Sequence, residues 1–461
     1  MSLHEELSLV ASAMPDSITS LQTRLDDGDW ISRALTAKGV ATLRRRRLPA
    51  EQVVWLVIGM ALMRDRRIEE VVRSLDLALP VPSGRDVVPA AIPPARERLG
   101  FEPVKWLFSE TAQVWSAEGA DSDRWRGLAV YGVDGTTLRI ADTPENREEF
   151  GGQWTGPRTG DSSYPMARVV ALMALRSHVL AGAAVESYEK TSENSLTPDL
   201  LALVPDDSLT VLDRAYLSPL TLLPLQNGGA NRHWLTRAKS NTVMRTVQKL
   251  GEGDELVEMD VTKQARKTNP SLGKTWQARA IRYQRKGYQP QCLLTSLLDP
   301  KLWPAKEVIE MYHERWELEL GFGEIKTDML EREDALRSKK PDGVRQEIWG
   351  LLLAYNLVRL EIARVAREVG VPPVRISFVL ALTLIRDEWQ WSNISIGPGA
   401  IPKHLMRLRE NLRRLVLPPR RRERAYPRVV KVTSGRYPGK RPTKTGEGGA
   451  KRGADGAGAA K

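Results

Sequence analysis

Two apolar runs that each end in an aspartate constrain the fold of this 461-residue chain more than any other feature. The first run is LAVYGVDGTTLRI, which contains Asp134, and the second is SLTVLDRAYLSPL, which contains Asp213. Their branched and aromatic residues predict buried strands that deliver an aspartate near the carboxyl end, where open α/β sheets usually bind ligands. Gly135 would leave room there for a substrate backbone. Each aspartate taken alone also fits a turn residue or a helix cap.

A third acidic position lies in the segment MYHERWELELGFGEIK, which spans residues 311–326. Its polar residues stand at offsets of 3, 7 and 14 from the first, so we expect them on one face of a single helix. A carboxylate can bind a divalent metal, and the flanking cations and phenol can bind phosphate oxygens. The alternative is a solvated helix face with ordinary ion pairs. The residues concerned are Tyr312, Arg315, Glu319 and Lys326.

These motifs together resemble the bacterial DDE transposases of the insertion sequence 4 family. The helix matches the family signature Y-(2)-R-(3)-E-(6)-K without a gap from Tyr312, and DGT at Asp134 and LDRAY at Asp213 match its two aspartate motifs. The resemblance covers residues 40–370. It implies that Asp134, Asp213 and Glu319 bind two Mg²⁺ ions, for which Mn²⁺ can substitute.

The resemblance further implies cut-and-paste transposition, with cleavage at the element ends, a hairpin intermediate and strand transfer into target DNA. Tyr312 and Arg315 would hold a phosphate near a flipped base, and Lys326 would contact the DNA backbone. The expected partners are the terminal inverted repeats, target DNA and a second copy of the chain in a synaptic homodimer. A metal-dependent nuclease of the same fold without strand transfer, and a non-catalytic DNA-binding relic, remain as alternatives.

The length of the chain predicts two or three domains. Strand and helix patterns favour a mixed α/β, ribonuclease-H-like core, in which the first and fourth strands lie side by side and bring the two aspartates together. We therefore expect a helical N-terminal DNA-binding domain at 1–118 and the core at 119–370, interrupted by a β-rich insertion at 240–298. A C-terminal helical region at 371–418 and a disordered basic tail at 419–461 would follow.

Several other features allow two interpretations. Arginine clusters at 44–47 and 64–67 flank a predicted buried helix and either contact the terminal repeat or are solvated. Two glycines after Glu319 either allow close approach of DNA or mark a kink. The insertion aromatics are candidates for stacking on a flipped base, with packing as the alternative. The glycines are Gly321 and Gly323, and the aromatics are Trp276, Tyr283 and Tyr288.

Charge and composition favour a nucleic-acid partner. The net charge is +12, and residues 420–461 hold thirteen Lys or Arg against three Asp or Glu, so this tail carries +10 and the rest of the chain +2. The tail would attract DNA phosphates in a salt-dependent way or simply aid solubility. One cysteine, Cys292, excludes an internal disulfide, and the five histidines lack zinc-ligand spacing. Without a secretory signal or a bilayer-length apolar run, we expect a bacterial cytoplasmic, nucleoid-associated protein.

Overall fold

The computed structural model describes residues 25, 29–40, 48–74, 89–121, 123–153, 164–285, 289–331, 335–392 and 410–417. Its centre is a mixed sheet of nine strands in the order β3-β2-β1-β4-β5-β9-β8-β7-β6. The pairs β1–β4 and β4–β5 are parallel and the other pairs are antiparallel, which confirms the mixed, ribonuclease-H-like fold. The strands are β1 Ala129–Arg139, β2 Met166–Ala174, β3 Leu180–Ser187, β4 Ser208–Leu212, β5 Arg232–Arg237, β6 Arg245–Gly251, β7 Asp254–Asp260, β8 Thr275–Tyr283 and β9 Gln291–Thr295.

The parallel pair β1–β4 brings the two aspartates together. Val133 pairs with Leu212, so Asp134 and Asp213 are the next residues on adjacent strands. The prediction that Asp134 ends its strand is wrong, because β1 continues to Arg139 through its pairing with β2. The crevice forms instead because β4 stops at Leu212 while β1 runs on.

The strands of the insertion extend the core sheet. Strand β9 pairs with β5, and β8, β7 and β6 follow in antiparallel order. Strand β6 was not predicted, because its residues RTVQKLG are exposed at all but one position and lack an apolar alternation. Trp276 is buried against Trp234 at 5.6 Å between ring centroids, so its packing interpretation is confirmed. The Tyr283 hydroxyl donates to Gln291, and Tyr288 lies outside the described residues.

Helices cover both faces of the sheet. The long helix α12 packs with α2, α5 and α11 on one face, and α7 and α8 lie on the other. In the part of the chain that the structure describes, no helix is long and apolar enough to span a bilayer. The α-helices are α1 Trp30–Ala37, α2 Ala50–Leu62, α3 Ile68–Ser74, α4 Ile92–Leu99, α5 Glu102–Asp121, α6 Pro144–Phe150, α7 Glu193–Ala202, α8 Pro219–Asn227, α9 Lys263–Thr268, α10 Ala305–His313, α11 Trp316–Gly323, α12 Pro341–Val369 and α13 Phe378–Ser392.

The described N-terminal helices are packed onto the core. A Cβ atom added to Gly350 of α12 would lie 2.3 Å from Val57 Cγ1 of α2, so these two helices touch closely. The rings of Phe108 and Trp349 stand 5.4 Å apart between α5 and α12. The Arg64 guanidinium, in the second arginine cluster, donates to the Ala335 carbonyl. The cluster at 44–47 and the tail at 419–461 lie outside the described residues.

Candidate active site

Both aspartates lie at the edge where β4 ends, and each accepts a backbone hydrogen bond. Asp134 Oδ1 accepts from the Gly135 amide at 2.8 Å, and Asp213 Oδ1 accepts from the Arg214 amide at 2.6 Å. Asp213 thereby caps the short 3₁₀ helix Arg214–Tyr216. The cap interpretation of Asp213 is therefore correct, and it is compatible with a second role in the crevice.

The signature segment is not the single regular helix that the spacing predicts. Helix α10 ends at His313, and i→i−3 hydrogen bonds tighten the chain around Glu314 and Arg315 before α11 begins. A π-helix, Glu324–Met329, then follows α11 without a break. These changes of helix type alter the angular spacing of side chains, which explains the departure from a 3.6-residue period.

Arg315 joins the signature helix to the two aspartates. Its Nη2 donates to Glu319 Oε1 at 2.8 Å, which confirms that this pair shares one face. Its positive charge also acts on Asp134. Burial lowers the pKa of Arg315, but the hydrogen bond to Glu319 and the charges of Tyr312, Glu319 and Asp213 outweigh burial and raise it. One guanidinium thus lies among the three acidic residues that the sequence singles out.

Asp134 is electrostatically strained. Burial raises its pKa, the nearby carboxylates of Glu193 and Asp213 raise it further, and the Gly135 amide and Arg315 oppose them, which leaves a pKa of about 6. A buried carboxylate among like charges is typical of sites that bind cations or exchange protons.

Two aromatic residues of the segment are more buried than a DNA-facing role suggests. Tyr312 is 7% exposed, and burial raises its pKa, with Asp213 close enough to add to the increase. His313 lies between the rings of Tyr283 and Tyr312. Burial, with the charges of Arg285 and Arg315, lowers the His313 pKa to about 4, so this histidine is neutral at pH 7.

Lys326 lies beyond the change of helix type. It is half-buried in the π-helix Glu324–Met329, so the 3.6-residue period no longer sets its direction. Arg315 and Tyr312 interact electrostatically with the aspartates, and Glu319 is connected to them only through its hydrogen bond from Arg315.

Two glycines let α11 lie directly on the sheet. The side chain of Leu318 covers Gly132 of β1, where an added Cβ would be 2.7 Å from Leu318 Cδ1. An added Cβ at Gly321 would lie 2.5 Å from Met173 Cε and 3.2 Å from the Tyr355 hydroxyl. Gly321 therefore serves internal packing and is not a point of DNA approach. Gly323 has no atom within 4 Å of its Cβ position among the described residues.

Glu193 is an acidic residue of this region that sequence reasoning missed. Its carboxyl carbon would lie 2.4 Å from a Cβ at Gly135, so Glu193 fills the space that we expected a substrate backbone to occupy. Its Oε1 also pairs with Arg168 at 3.2 Å. The only sequence signal was an acidic residue in the first turn of α7, which is common at helix N-termini for dipole reasons alone.

Among the described residues, no group of three or more potential ligands lies close enough to hold one metal ion. The donor chemistry nevertheless suits a hard divalent cation, because Asp134 and Asp213 adjoin and Glu319 reaches them through Arg315. Burial and like charge raise the Asp134 pKa, and a cation would offset that cost. In this arrangement Glu319 is paired with Arg315.

Comparison with known proteins identifies the family. A model of the insertion element 4 transposase N-terminal domain matches residues 15–109, and a model of the transposase DDE domain matches residues 125–357. The transposase InsG of insertion sequence element IS4 from Escherichia coli K12 is 39% identical over 443 residues, which are 95% of this chain and 98% of InsG. The chain belongs to the insertion sequence 4 family of DDE transposases.

Two further comparisons also match transposases, one by sequence and one by structure. InsZ of the same strain is 39% identical over 221 residues, which are 48% of this chain and 72% of InsZ. A cryo-EM structure of the piggyBac transposase synaptic complex with hairpin DNA aligns with 85% of this chain and 81% of that chain. Its TM-score of 0.40 at 12% identity is too low to assign a fold or a reaction.

Family membership establishes the function in outline. This DDE transposase is an enzyme that moves an insertion sequence and acts on DNA, and enzymes of its family use divalent metal ions.

Proposed function

We propose that Asp134, Asp213 and Glu319 are the catalytic carboxylates of this transposase and hold two Mg²⁺ ions, for which Mn²⁺ can substitute. The main support is the β1–β4 register, which sets Asp134 beside Asp213, with Arg315 extending from them to Glu319. When bound, such ions activate the attacking hydroxyl and stabilise the leaving oxygen of an in-line displacement.

Arg315 has two successive partners in this proposal. In the DNA-free arrangement it donates to Glu319, and it stabilises Asp134 and Asp213 by its charge. A DNA phosphate competes for the same guanidinium, because arginine binds phosphate oxygens in a fork geometry. As Arg315 moves to the phosphate, Glu319 is released and can turn toward the aspartates.

The remaining DNA contacts follow from position and charge. Lys326 holds the DNA backbone as a point charge. Tyr312 lies next to Arg315 and, at 7% exposure, supports the phosphate-binding guanidinium from the protein side. The helical segment 1–118 contacts the terminal inverted repeat, and the basic tail 419–461 adds sequence-independent attraction to DNA.

The assembly follows from the reaction. Because two element ends must be cut and joined together, two copies of the chain form a synaptic homodimer on DNA. Each end passes through a hairpin before strand transfer into the target. The substrate is bacterial DNA, so the enzyme works in the cytoplasm at the nucleoid.

The proposal is tested with purified protein, Mg²⁺ and a plasmid that carries both ends of the element. The wild type should cut at the ends and join them into a second plasmid, and denaturing gels should show covalently closed hairpin ends. Asp134→Asn and Asp213→Asn should abolish cleavage. Asp199→Asn, a matched change at an exposed position of α7, should not.

The outcomes separate the parts of the proposal. Cleavage that persists in Asp134→Asn would remove the catalytic assignment. Cleavage without joining would indicate a nuclease of the same fold, and cut ends without closed hairpins would remove only the hairpin step.

A further inference from the structure

Behind the signature helix lies a buried chain of polar side chains that the reaction does not use directly. The Arg359 Nη2 atom donates to His178 Nδ1 at 2.7 Å, and the same guanidinium is paired with Glu324. The Tyr355 hydroxyl donates to Glu324 Oε2 at 2.9 Å. The other ring nitrogen, His178 Nε2, lies 2.9 Å from Glu317 Oε2.

The donors fix the tautomer of His178. Arginine can only donate, so Nδ1 of His178 must accept the hydrogen bond from Arg359. The ring proton therefore sits on Nε2 and is donated to Glu317. The result is an ordered chain in which Glu317 and Glu324, the two acidic ends, are held by one histidine, one arginine and one tyrosine.

These side chains are buried, so each charged or polar group among them needs a close partner. His178, Arg359 and Tyr355 are 1%, 1% and 0% exposed, respectively. Charges that are removed from water require close partners. His178 also adopts a left-handed backbone with φ of 61° in the turn between β2 and β3, a conformation that residues with a Cβ rarely adopt. The surrounding structure thus holds each group in one place.

The two glutamates bracket Glu319 on the helix. Glu317 and Glu324 lie on the same side of the helix, because their carboxylates are 2.9 Å and 3.4 Å from the two ring nitrogens of His178. Glu319 is two residues after Glu317 and thus points about 160° away from it. The buried chain therefore contacts the helix on the side opposite Glu319, at one position before it and one position after it.

We propose that Glu317, Glu324, His178, Arg359 and Tyr355 are positioning residues that set the rotation of α11 so that Glu319 faces Asp134 and Asp213. This inference rests on the proposed metal-binding role of those three carboxylates. Groups that orient metal ligands from behind commonly change metal affinity about 10- to 100-fold when they are replaced. The buried chain would act in the same way, through the rotation of one helix.

The main test replaces one ion pair without leaving an unpaired charge. In the full chain, Glu324→Leu combined with Arg359→Met removes both partners at similar volume, a change that proteins often tolerate. Mn²⁺ binding to the protein with uncleavable terminal-repeat DNA is measured by calorimetry, and DNA affinity is measured separately. We expect Mn²⁺ to bind about tenfold more weakly, with DNA affinity and the urea unfolding midpoint close to those of the wild type.

A second variant covers the case in which the double variant does not fold. Tyr355→Phe removes one hydroxyl and keeps the ring, and it should weaken Mn²⁺ binding by roughly threefold, because one of the two groups that hold Glu324 is lost. The matched control is Asp254→Leu with Arg279→Met, a second buried ion pair, which lies on β7 and β8. That control should leave Mn²⁺ affinity unchanged.

The result that would overturn the inference is a folded Glu324→Leu/Arg359→Met or Tyr355→Phe protein that binds Mn²⁺ like the wild type. A control pair that weakens Mn²⁺ binding equally would also overturn it, because the effect would then be general to buried charges. If the wild type itself binds no Mn²⁺ that depends on Asp134, the proposed function fails instead, so the two failures are distinguishable.

Discussion

The front and the back of helix α11 differ in how their charges are compensated. On the front, the Arg315 guanidinium donates to Glu319 and acts through its charge on Asp134 and Asp213. Burial and neighbouring carboxylates raise the Asp134 pKa to about 6. This face stores unfavourable electrostatic energy, which a bound cation can offset.

On the back, each acidic group has a specific donor. Burial raises the pKa of Glu324, but the charge of the paired Arg359 guanidinium outweighs burial and lowers this pKa below its usual range. Tyr355 and His178 donate the remaining hydrogen bonds to Glu324 and Glu317. One helix therefore carries partly compensated carboxylates suited to a cation on one side, and a hydrogen-bonded set of buried polar groups on the other.

The largest expected effect is on catalysis at the front. Glu319→Gln should lower the rate of end cleavage by on the order of 10³-fold or more, because it removes one of three metal ligands. Cleavage of radiolabelled element ends in Mg²⁺ measures the rate. Glu310→Gln, at an exposed position of α10, serves as the control and should cut at the wild-type rate.

The next largest effect concerns the stability contributed by Arg359 on the back of α11. Arg359→Met should lower the free energy of unfolding by about 3–5 kcal/mol, because it leaves the Glu324 carboxylate without its cationic partner. Urea unfolding followed by far-UV circular dichroism measures it. Arg364→Met, one turn away on α12 at a half-buried pair with Glu368, should cost less than about 1 kcal/mol. Equal losses in the two variants would contradict the contrast between the two faces.

Alanine substitutions at the glycines of α11 should change stability by a smaller amount. Gly321→Ala should lower the free energy of unfolding by about 1–3 kcal/mol, because its methyl group would meet Met173 and Tyr355. Gly323→Ala meets no described atom within 4 Å and should instead stabilise the helix by up to about 1 kcal/mol. Thermal unfolding of both variants measures these changes. A Gly321→Ala protein that is more stable than the wild type would disprove the close contact with Met173 and Tyr355.

Removing the charge of Asp134 should make the metal-free protein more stable. Asp134→Asn keeps the acceptor for the Gly135 amide and removes a charge whose pKa burial and nearby carboxylates raise to about 6. The folded chain holds this proton more tightly than the unfolded chain, so the stability of the wild type falls as pH rises from about 4 to about 6. Without metal, the variant should be about 1–3 kcal/mol more stable at pH 8.

The pH dependence provides the check on Asp134→Asn. Its advantage in urea unfolding should shrink as pH falls below 6 and should vanish near pH 4, where both side chains are neutral. A constant difference across this range would show that the gain does not come from the charge of Asp134.

The smallest effect concerns the exchange of partners by Arg315. Arg315→Ala should strengthen Mn²⁺ binding to the DNA-free protein by roughly threefold to tenfold, because Glu319 and the aspartates lose a competing cation. In the wild type, DNA should strengthen Mn²⁺ binding, and Mn²⁺ should strengthen DNA binding by the same factor. Calorimetric titrations measure both affinities, and coupling that persists in Arg315→Ala would exclude the exchange.

Much of this structure could be predicted from local patterns. The strands that carry Asp134 and Asp213 have continuous apolar runs, which are typical of buried strands, and their parallel pairing was confirmed. The buried helix after Pro49 was predicted from its apolar content, and the structure places it at Ala50–Leu62. Family motifs supplied the order of the core, and the comparisons confirmed the family.

What could not be predicted depends on contacts between distant segments. The π-helix at Glu324 and the tightened turn at Arg315 have no local signature, because Glu, Ile and Lys are ordinary helix formers. The chain from His178 to Arg359 joins residues 181 positions apart. Glu193 over Gly135 is visible only once α7 lies against the edge of β1. Hydrophobic periodicity and amino-acid composition do not show which distant segments come into contact.

The most direct test of the central claim replaces Mg²⁺ by Fe²⁺ and maps where the bound ion cuts the polypeptide. Ascorbate and peroxide generate hydroxyl radicals at the ion, and mass spectrometry locates the breaks. With terminal-repeat DNA bound, we expect breaks close to Asp134, Asp213 and Glu319 together, and we expect all three to be lost in Asp134→Asn. Breaks that omit any one of these three positions in the DNA-bound protein, or that persist in Asp134→Asn, would contradict the central claim.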